Sequence, residues 1–563
     1  MTSSPPSAQP FAVTLGPLLT PGTNRKGRVA GAAWTYLLPR LTNGVSLTLG
    51  APSARSLPTL ARRSGELVIV VETARQRLFL LARARRDRIV NVRVIRLTAD
   101  RLPLPSASVD VVAVTDAEWL RRLDGEAPLA RELGRVLTEN GIFYLEWASL
   151  APPRQLPLRV DARALLWLRT ARGEVTDVAP RDDTLAIEHL VAGRAANKAA
   201  NKEVRSWPNR ARRRLRGDGG RVQLGALTAP RPPGYLCAAA ATAGVPIDDH
   251  RWTLSAPAGY PSKKVVLQLF PPGASAAAYL VKLAREPRFN ERIENSWVAL
   301  RRLHQLGLQG AAVVPAPVFA GHDGGLAFAA EGAVEGVAFR ARTTARPDCP
   351  HAAAAIDWFV GFGVQSADSA IASPEAVAGA LQSLLERFTS VYRPSAHHRA
   401  FLAAQIATVG AHAGPFPVVF QHGDPGIWNL LIDSEARPVV LDWEAADGRG
   451  MPLWDLLYLM RSFGVWVARA EGTADQLQAF ERHFLEPSAL GELLGDAIGR
   501  FCRDAGLDRE LVEPLFFTCW MHRALKEAST LSRPGVRHGR YVRLLLHCID
   551  EHRSQGLVRL FKG

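Results

Sequence analysis

Three polar residues in one short segment of the sequence have the types and spacing needed for chemistry on phosphates. Residues 418–447 read VVFQHGDPGIWNLLIDSEARPVVLDWEAAD, in which Asn429 follows Asp424 by five residues and Asp442 comes later. The apolar runs between them predict a loop followed by a β-hairpin, with one carboxylate before the hairpin and one at its far end. An aspartate can accept the proton of a hydroxyl, and Mg²⁺ prefers oxygen ligands. We therefore predict Asp424 as a catalytic base, with Asn429 and Asp442 as metal ligands.

The same segment resembles the catalytic signature of aminoglycoside phosphotransferases, choline kinases and their relatives. The pattern consists of His422-Gly423-Asp424, Asn429, a hydrophobic strand and Asp442-Trp443-Glu444. The resemblance implies a bilobal, protein-kinase-like α+β domain that uses ATP and Mg²⁺ to phosphorylate an alcohol group. It also implies that His422 supports the loop and that Asp455, in MPLWDLLYLM, lies in a helix under the site. The alternatives are an ordinary turn with an unrelated strand-end carboxylate, or a kinase-like fold that has lost its chemistry.

The resemblance extends to a predicted strand and helix that precede this segment. Lys282 lies in the strand, at the position of the lysine that holds the α and β phosphates in kinase folds. Relatives pair this lysine with a glutamate on the following helix, but Ser296 occupies that position here. We expect Glu294 to replace the missing glutamate in the cofactor site, with Glu291 as the other choice.

Two further segments are expected to contact ATP. Residues 326–336, LAFAAEGAVEG, resemble the segment that joins the two lobes, and the backbone near Glu331 is the expected adenine contact. Residues 255–264 are a weaker candidate for the phosphate-covering loop, because they lack a glycine-rich GxGxxG pattern.

The acceptor is expected to be a small molecule rather than a protein. Protein kinases carry an arginine where this chain has Gly423, and only about ten residues separate Asp442 from the next predicted helix near Pro452. That leaves little room for a peptide-docking segment. The basic stretch from Arg533 to Lys562 favours an anionic or neutral acceptor, such as a sugar, a lipid headgroup or a polysaccharide end, over a cationic aminoglycoside.

The N-terminal half predicts a separate α/β domain. Residues 31–200 alternate short β-branched strands with helical stretches, which is typical of a βαβ sheet. Residues 34–147 resemble class I S-adenosylmethionine-dependent methyltransferases with a Rossmann-like sheet, and the best match begins ADRLPLPSASVDVVAV at residue 99. The resemblance implies that Glu72, which lies 22 residues after Gly50, contacts the ribose of S-adenosylmethionine, and that Asp100 lies on its adenine side.

The glycine-rich turn of that cofactor site is damaged in this sequence. The turn after the first strand contains Gly50 alone, and Pro52 removes a backbone donor. We therefore predict a degenerate methyltransferase-like domain, with S-adenosylmethionine as a disfavoured cofactor. The alternatives are a generic βαβ domain, a scaffold protein in which both halves have lost their chemistry, and a true methyltransferase with a kinase-like accessory module.

Composition sets the domain boundaries and the expected surroundings. The chain has 563 residues, too many for one core, and a formal charge of +16. We predict a disordered arm over 1–30, the methyltransferase-like domain over 31–200, an Arg-rich linker over 201–235 and the kinase-like domain over 236–563. Within the last, the N-lobe spans about 245–335 and the C-lobe about 336–563.

The Arg-rich linker and the cysteines bear on partners and location. The linker is interpreted as a solvated connection or as a contact for an anionic membrane surface, while nucleic acid is disfavoured because no zinc finger, RNP-like or helix-turn-helix signature accompanies the charge. Five scattered cysteines with no CxxC pattern are typical of a reducing cytoplasm rather than a zinc site or a disulfide framework. We expect a cytoplasmic protein with no membrane span.

Overall fold

The computed structural model describes most of the chain outside the N-terminal arm and the Arg-rich linker. The described residues are 32–52, 56–97, 101–114, 116, 119, 122–123, 127–147, 163–169, 175–180, 223–227, 232–256, 263–308, 312–529, 531, 533–536 and 538–562. They divide into two compact units. The sheet unit contains the described parts of Lys26–Glu294 and Pro317–Ala333, and the helical unit contains those of Asn295–Ala316 and Val334–Gly563.

The sheet unit is built on one long sheet. Its strands, in chain order, are β1 Asn43–Leu49, β2 Ser64–Val71, β3 Val92–Arg96, β4 Val109–Val114, β5 Leu137–Trp147, β6 Arg163–Arg169, β7 Val175–Pro180, β8 Gln223–Leu227, β9 Arg251–Ser255, β10 Lys264–Phe270, β11 Tyr279–Ala284, β12 Pro317–Asp323 and β13 Leu326–Gly332. Its helices are α1 Leu57–Arg62, α2 Ala74–Arg86, α3 Ala127–Val136, α4 Gly234–Thr242 and α5 Asn290–Gln305, and the chain passes to the helical unit within α5. The strand order is β12-β13-β11-β10-β9-β7-β6-β8-β5-β4-β1-β2-β3.

The parallel part of this sheet confirms the Rossmann-like prediction. Strands β5-β4-β1-β2-β3 pair in parallel, with α1, α2 and α3 on the connections between them. Residues 67–71 of β2 form an uninterrupted buried apolar run, as expected for a parallel strand covered on both faces.

The antiparallel strands of the predicted kinase-like N-lobe extend the same sheet. Strand β9 pairs with β7 through Asp177–Ser255 and Val178–Leu254, and the strands β9 to β13 continue from there. One hydrophobic core joins the two parts, since Trp34 and Ile69 belong to the same buried cluster as Leu267. The compact units therefore do not follow the predicted division into residues 31–200 and 236–563, because a shared ladder and core bind the N-lobe strands to the methyltransferase-like sheet.

The helical unit consists mainly of helices around an aromatic core. Among its described residues the helices are α6 Phe339–Arg342, α7 Pro350–Ser366, α8 Pro374–Tyr392, α9 Ala396–Ala411, α10 Trp454–Ala470, α11 Gln476–Phe480, α12 Ala489–Ala505, α13 Val512–Ala528, α14 Arg533–Val536, α15 Arg540–Asp550 and α16 Gln555–Lys562. Short strands complete it, namely β14 Val337–Ala338, β15 Val419–Gln421, β16 Leu430–Ile432, β17 Pro438–Val440 and β18 Asp447–Gly450.

Local sequence explains where these helices begin and which faces they bury. The hydroxyls of Ser373, Ser395 and Ser488 accept a hydrogen bond from the third residue after them, and so cap α8, α9 and α12. Helices α10 and α13 are buried along most of their length, which places them at the centre of the unit. Within the part of the chain that the structure describes, no helix is long and apolar enough to cross a membrane.

Candidate functional site

A hairpin in the helical unit brings Asn429 and Asp442 to the same end of two strands. Leu430 on β16 pairs with Val440 on β17, and the amide of Leu441 donates to the carbonyl of Asn429 at 2.9 Å. Asn429 therefore lies just before the first strand, and Asp442 two residues after the second. The predicted loop and hairpin are confirmed.

A side-chain hydrogen bond joins Asn429 to Asp424. Nδ2 of Asn429 donates to the backbone carbonyl of Asp424 at 2.9 Å. With its nitrogen held in this way, the amide presents Oδ1 as its remaining polar atom, and oxygen is the ligand that Mg²⁺ accepts. The predicted base and one predicted metal ligand thus lie in direct contact.

Asp442 has an unusual backbone conformation for a residue other than glycine. Its φ of 70° and ψ of 62° lie in the left-handed region, which aspartate adopts more readily than most residues. The fully buried indole of Trp443 anchors the next position, since its Nε1 donates to the carbonyl of Val440 at 3.2 Å. A strained backbone at a carboxylate that follows a strand is typical of a functional position.

The loop around Asp424 is held from below by a histidine and an aspartate. Nε2 of the fully buried His422 donates to the carbonyl of Leu441 at 2.8 Å, and Nδ1 accepts from the amide of Asp424 at 3.2 Å. This pattern requires the neutral imidazole, in agreement with burial, which lowers the pKa of His422. Asp455, in the first turn of α10, accepts from the amides of His422 and Gly423 at 2.5 and 2.9 Å. Both residues act on the loop as the resemblance implied.

Gly423 explains why this loop cannot carry the arginine of protein kinases. Its φ is +76°, and a Cβ at this position would lie 2.1 Å from the carbonyl oxygen of Ala445. A side chain would therefore need both a disfavoured backbone conformation and a shift of the segment after Asp442. The glycine allows the loop around Asp424 to pack closely against the segment that follows Asp442.

Two cations on α13 contact the loop around Asp424, and these contacts were not predicted from the sequence. Nη2 of Arg523 lies 2.8 Å from Oδ1 of Asp424, and its Nη1 donates to the carbonyl of Gly423 at 2.9 Å. Nζ of Lys526 donates to that same carbonyl at 2.7 Å. The spacing of three residues on a helix, which places both side chains on one face, was the only available signal.

These cations determine the charge state of the predicted base. Burial alone would raise the pKa of Asp424, but the charges of Lys526 and Arg523 outweigh it and hold this pKa below its usual value. The guanidinium of Arg523 is itself held between aromatic rings, 3.3 Å from the ring centre of Tyr458 and 5.6 Å from that of Tyr541. Asp424 is therefore an ionised carboxylate near neutral pH.

The predicted phosphate-binding lysine lies in the sheet unit. Lys282 on β11 is almost fully buried, and its Nζ lies 2.8 Å from Oε2 of Glu331 on the neighbouring strand β13. Glu294 instead pairs with His322 at 2.8 Å, and its side chain is 47% exposed. The expectation that Glu294 replaces the missing glutamate is therefore wrong. The buried carboxylate of Glu331 pairs with Lys282 instead, because antiparallel pairing of β11 and β13 brings the two side chains together.

The structure describes Ser296 but only part of the candidate phosphate-covering loop at residues 255–264. Ser296 is 2% exposed, and its hydroxyl has no hydrogen-bond partner among the described residues. Six residues of the candidate phosphate-covering loop, 257–262, lie outside the described residues.

Comparison with protein families gives a match that contains these residues. Residues 265–495 match the phosphotransferase enzyme family. The match includes Lys282, Asp424, Asn429 and Asp442, and it ends before Arg523. No group of three or more His, Cys, Asp or Glu residues able to hold a metal ion occurs in the described parts of the chain, but Mg²⁺ needs only one or two protein carboxylates. The phosphotransferase segment therefore has residues that fit Mg²⁺ and ATP.

A second family match lies in the sheet unit, and some known structures are similar to parts of the chain. Residues 47–145 match a methyltransferase domain. The chain is similar to the YcgJ protein of Bacillus subtilis, with 23% identity over 21% of this chain and 49% of that one and a TM-score of 0.18. It is also similar to a SAM-dependent methyltransferase of Aquifex aeolicus, with 13% identity over 36% of this chain and 96% of that one and a TM-score of 0.19. The chain spans about half the length of the first structures it matches, and no curated protein matches the sequence significantly.

The structure describes only part of the cofactor site expected in the methyltransferase-like domain. Glu72, the expected ribose ligand, comes directly after β2, and its Oε1 lies 3.2 Å from Nη1 of Arg122. The carboxylate is thus engaged by a cation of the protein itself, and Pro52 deprives the turn of one amide. Asp100, the expected adenine-side acid, lies outside the described residues. The match to a methyltransferase domain keeps S-adenosylmethionine a plausible cofactor, its disfavoured binding stays a prediction, and we derive no reaction step through it.

Proposed function

We propose that the protein is an ATP- and Mg²⁺-dependent phosphotransferase, a choline kinase-like enzyme that phosphorylates a hydroxyl of a small molecule. The observation that carries the proposal is the hydrogen bond between Asn429 and Asp424 on a hairpin that ends in Asp442. This joins a base and two oxygen ligands inside the segment that matches the phosphotransferase family. Each of the three residue types has a defined task in phosphoryl transfer.

Asp424 acts on the acceptor hydroxyl in this mechanism. Its ionised carboxylate accepts a hydrogen bond from the hydroxyl and so directs the oxygen at the γ-phosphorus. Because Lys526 and Arg523 lower the pKa of Asp424, the carboxylate is a weak base that takes the proton only when the new P–O bond is well advanced. The bond between the γ-phosphorus and ADP breaks, the acceptor oxygen is phosphorylated, and the proton goes to Asp424. Such timing suits the loose transition state of phosphoryl transfer.

The remaining residues neutralise the charge of the nucleotide. Asn429 and Asp442 would hold Mg²⁺, which supplies positive charge to the phosphates. Lys282 would hold the α and β phosphates, with Glu331 fixing the position of its ammonium group. This buried pair argues against a scaffold that has lost its chemistry, because a buried Lys–Glu pair offers little stability over apolar residues.

The space after Asp442 supports a small acceptor. Helix α10 begins at Trp454, with the short strand β18 in between. The segment is too short to bind an extended peptide, so the acceptor is proposed to be a sugar, an aminoglycoside-like compound, an amino alcohol, or a lipid or polysaccharide headgroup. We further propose a cytoplasmic location, in keeping with five free cysteines. Contact of the Arg-rich linker with an anionic membrane also stays a proposal, since residues 205–221 lie outside the described residues.

Calorimetric titration with ATP tests the proposal. We expect binding to the wild-type protein to require Mg²⁺, and Asp442→Asn to weaken it by about tenfold, since the substitution removes one charged ligand. Glu435→Gln, at the exposed turn of the same hairpin, is the matched control and should bind like the wild type. No heat at millimolar ATP, or equal affinity with and without Mg²⁺, would overturn the assignment.

A further inference from the structure

Helix α5 contacts the segment after Asp442 through one amide side chain. Nδ2 of Asn295 donates to the carbonyl of Glu444 at 3.1 Å and to that of Ala446 at 2.9 Å. Because carbonyl oxygens only accept hydrogen bonds, the nitrogen end of the amide must face them. All four residues belong to the helical unit. Asn295 thus uses both hydrogens of its amide on the backbone that follows the proposed metal ligand.

The carbonyl between these two faces the loop around Asp424. A Cβ on Gly423 would lie 2.1 Å from the carbonyl oxygen of Ala445. Successive carbonyls of this short segment therefore alternate between two neighbours, which are Asn295 and the loop around Asp424. The contact with Asn295 consequently bears on the distance between the proposed base and the proposed metal ligand Asp442.

The part of α5 that carries Asn295 is fixed by the core of the helical unit. Leu300 and Leu303 are buried in the same hydrophobic cluster as Trp443. Trp443 directly follows Asp442, so the helix and the metal-binding segment share one packed core. Asparagine is a poorer helix former than leucine or alanine. Its presence within α5 is therefore explained by the two hydrogen bonds rather than by helix formation.

We propose that Asn295 is a positioning residue for the Mg²⁺ site, where its two hydrogen bonds hold the backbone after Asp442 in the conformation that binds the metal. This rests on the proposed phosphotransferase activity and deepens it. The φ of 70° at Asp442 is disfavoured for a residue other than glycine, and such a conformation persists only where the surrounding structure enforces it. A residue that orients a metal ligand changes metal affinity without touching the metal.

Two variants remove the hydrogen bonds, and a second asparagine on α5 gives the matched control. Asn295→Asp keeps the size of the side chain but replaces the donor by a carboxylate that faces two carbonyl oxygens, while Asn295→Ala removes the amide altogether. The amide of Asn290 also makes two hydrogen bonds to backbone, because its Nδ2 donates to Gly325 and its Oδ1 accepts from Ala327, both at 2.9 Å. Asn290→Ala therefore removes a similar pair of hydrogen bonds within the sheet unit.

Calorimetric titration with ATP in excess Mg²⁺ measures the effect on the site. We expect both Asn295 variants to raise the Kd by about tenfold, the lower end of what the loss of such a partner costs in metal affinity. In ADP release, KM for ATP should rise by the same factor of about ten, while kcat at saturating ATP and Mg²⁺ stays within about threefold. Asn290→Ala should lower the melting temperature as the Asn295 variants do, but leave Kd and KM within about twofold.

Hydrogen–deuterium exchange of the protein without nucleotide or metal gives a second readout. Amides of residues 443–447 should exchange about tenfold faster in both Asn295 variants and at the wild-type rate in Asn290→Ala. If one Asn295 variant fails to fold, the other decides the question. A wild-type Kd for ATP in a folded Asn295 variant, or unchanged exchange at residues 443–447, would contradict the inference. The phosphotransferase proposal then stands alone if the wild type binds ATP with Mg²⁺, whereas a wild type that shows no such binding removes both.

Discussion

Replacing Arg523 by methionine should move the pH dependence of catalysis. The change keeps an apolar side chain of similar length against Tyr458 but removes the guanidinium that lies 2.8 Å from Oδ1 of Asp424. A hydrogen bond to a charged group contributes about 1.5–3 kcal/mol, and one pKa unit corresponds to about 1.36 kcal/mol. Because Lys526 remains and Asp424 is 32% exposed, we take the lower end, and expect the pKa of Asp424 to rise by about one unit.

The assay is kcat/KM for ADP release as a function of pH. In the wild type, the pKa of Asp424 lies below the usual value of about 3.9, so activity should be flat from neutral pH down to about pH 4. Arg523→Met should lose activity at a pH about one unit higher. Arg500→Met, which breaks the exposed pair with Asp357 at 2.7 Å, is the control and should leave the profile in place. If Arg523→Met loses activity at the same pH as the wild type, or at a lower pH, the electrostatic reasoning is refuted.

The same substitution has a consequence for stability with a defined sign. A carboxylate with a lowered pKa in the folded protein stabilises it above the pKa of the unfolded chain, and that contribution is lost as pH falls through the folded-state pKa. Arg523→Met should therefore lower the melting temperature most near neutral pH. The difference from the wild type should shrink below about pH 4. Calorimetric melting temperatures of the two proteins, taken near neutral pH and below about pH 4, measure this difference. A difference that stays constant with pH would contradict the lowered pKa of Asp424.

Three further substitutions or titrations give distinct results. Gly423→Ala should lower the free energy of unfolding by roughly 3 kcal/mol or more and abolish turnover, because it adds a collision to a strained backbone. The control Gly472→Ala, with a φ of +93° and open space around it, should lower it only by the backbone strain of about 1–2 kcal/mol. Equal losses for the two variants in thermal unfolding would count against the collision. Glu331→Gln should destabilise the protein by about 2 kcal/mol and weaken ATP binding. The control Glu294→Gln should change the free energy of unfolding by less than about 0.5 kcal/mol. A larger effect of Glu294→Gln would favour Glu294 as the partner of Lys282. Calorimetric titration with S-adenosylmethionine should give no binding at about 1 mM, and binding with a Kd below that would revive the methyltransferase alternative.

Local patterns allowed the hairpin within residues 418–447 to be predicted from the sequence. The hairpin followed from two apolar runs around DSEARP, and Asn429 and Asp442 came together because strand pairing fixes their register. The Rossmann-like strands were recognisable for the same reason, since a buried parallel strand is a short continuous apolar run.

Contacts between distant parts of the chain could not be predicted in this way. Arg523 reaches Asp424 across 99 positions, and nothing in the amphipathic pattern of α13 marks it as a partner of the loop. Glu331 was placed on the adenine contact because its segment resembled the join between lobes, whereas its carboxylate meets Lys282 only because β11 and β13 are neighbours. The pairing of β9 with β7 was missed because an Arg-rich segment of loop-like composition stood between the two domains.

ADP formation by Asp424→Ala, measured beside its affinity for ATP, tests the central claim most directly. With saturating Mg²⁺ and ATP and sugars and amino alcohols as acceptors, we predict a rate lower by about 100-fold or more, because the hydroxyl loses the group that orients it and accepts its proton. The Kd for ATP should stay within about threefold, roughly 0.6 kcal/mol, since the proposed partner of Asp424 is the acceptor rather than the nucleotide. A variant that forms ADP at the wild-type rate while binding ATP normally would show that the loop at Asp424 does not carry the reaction.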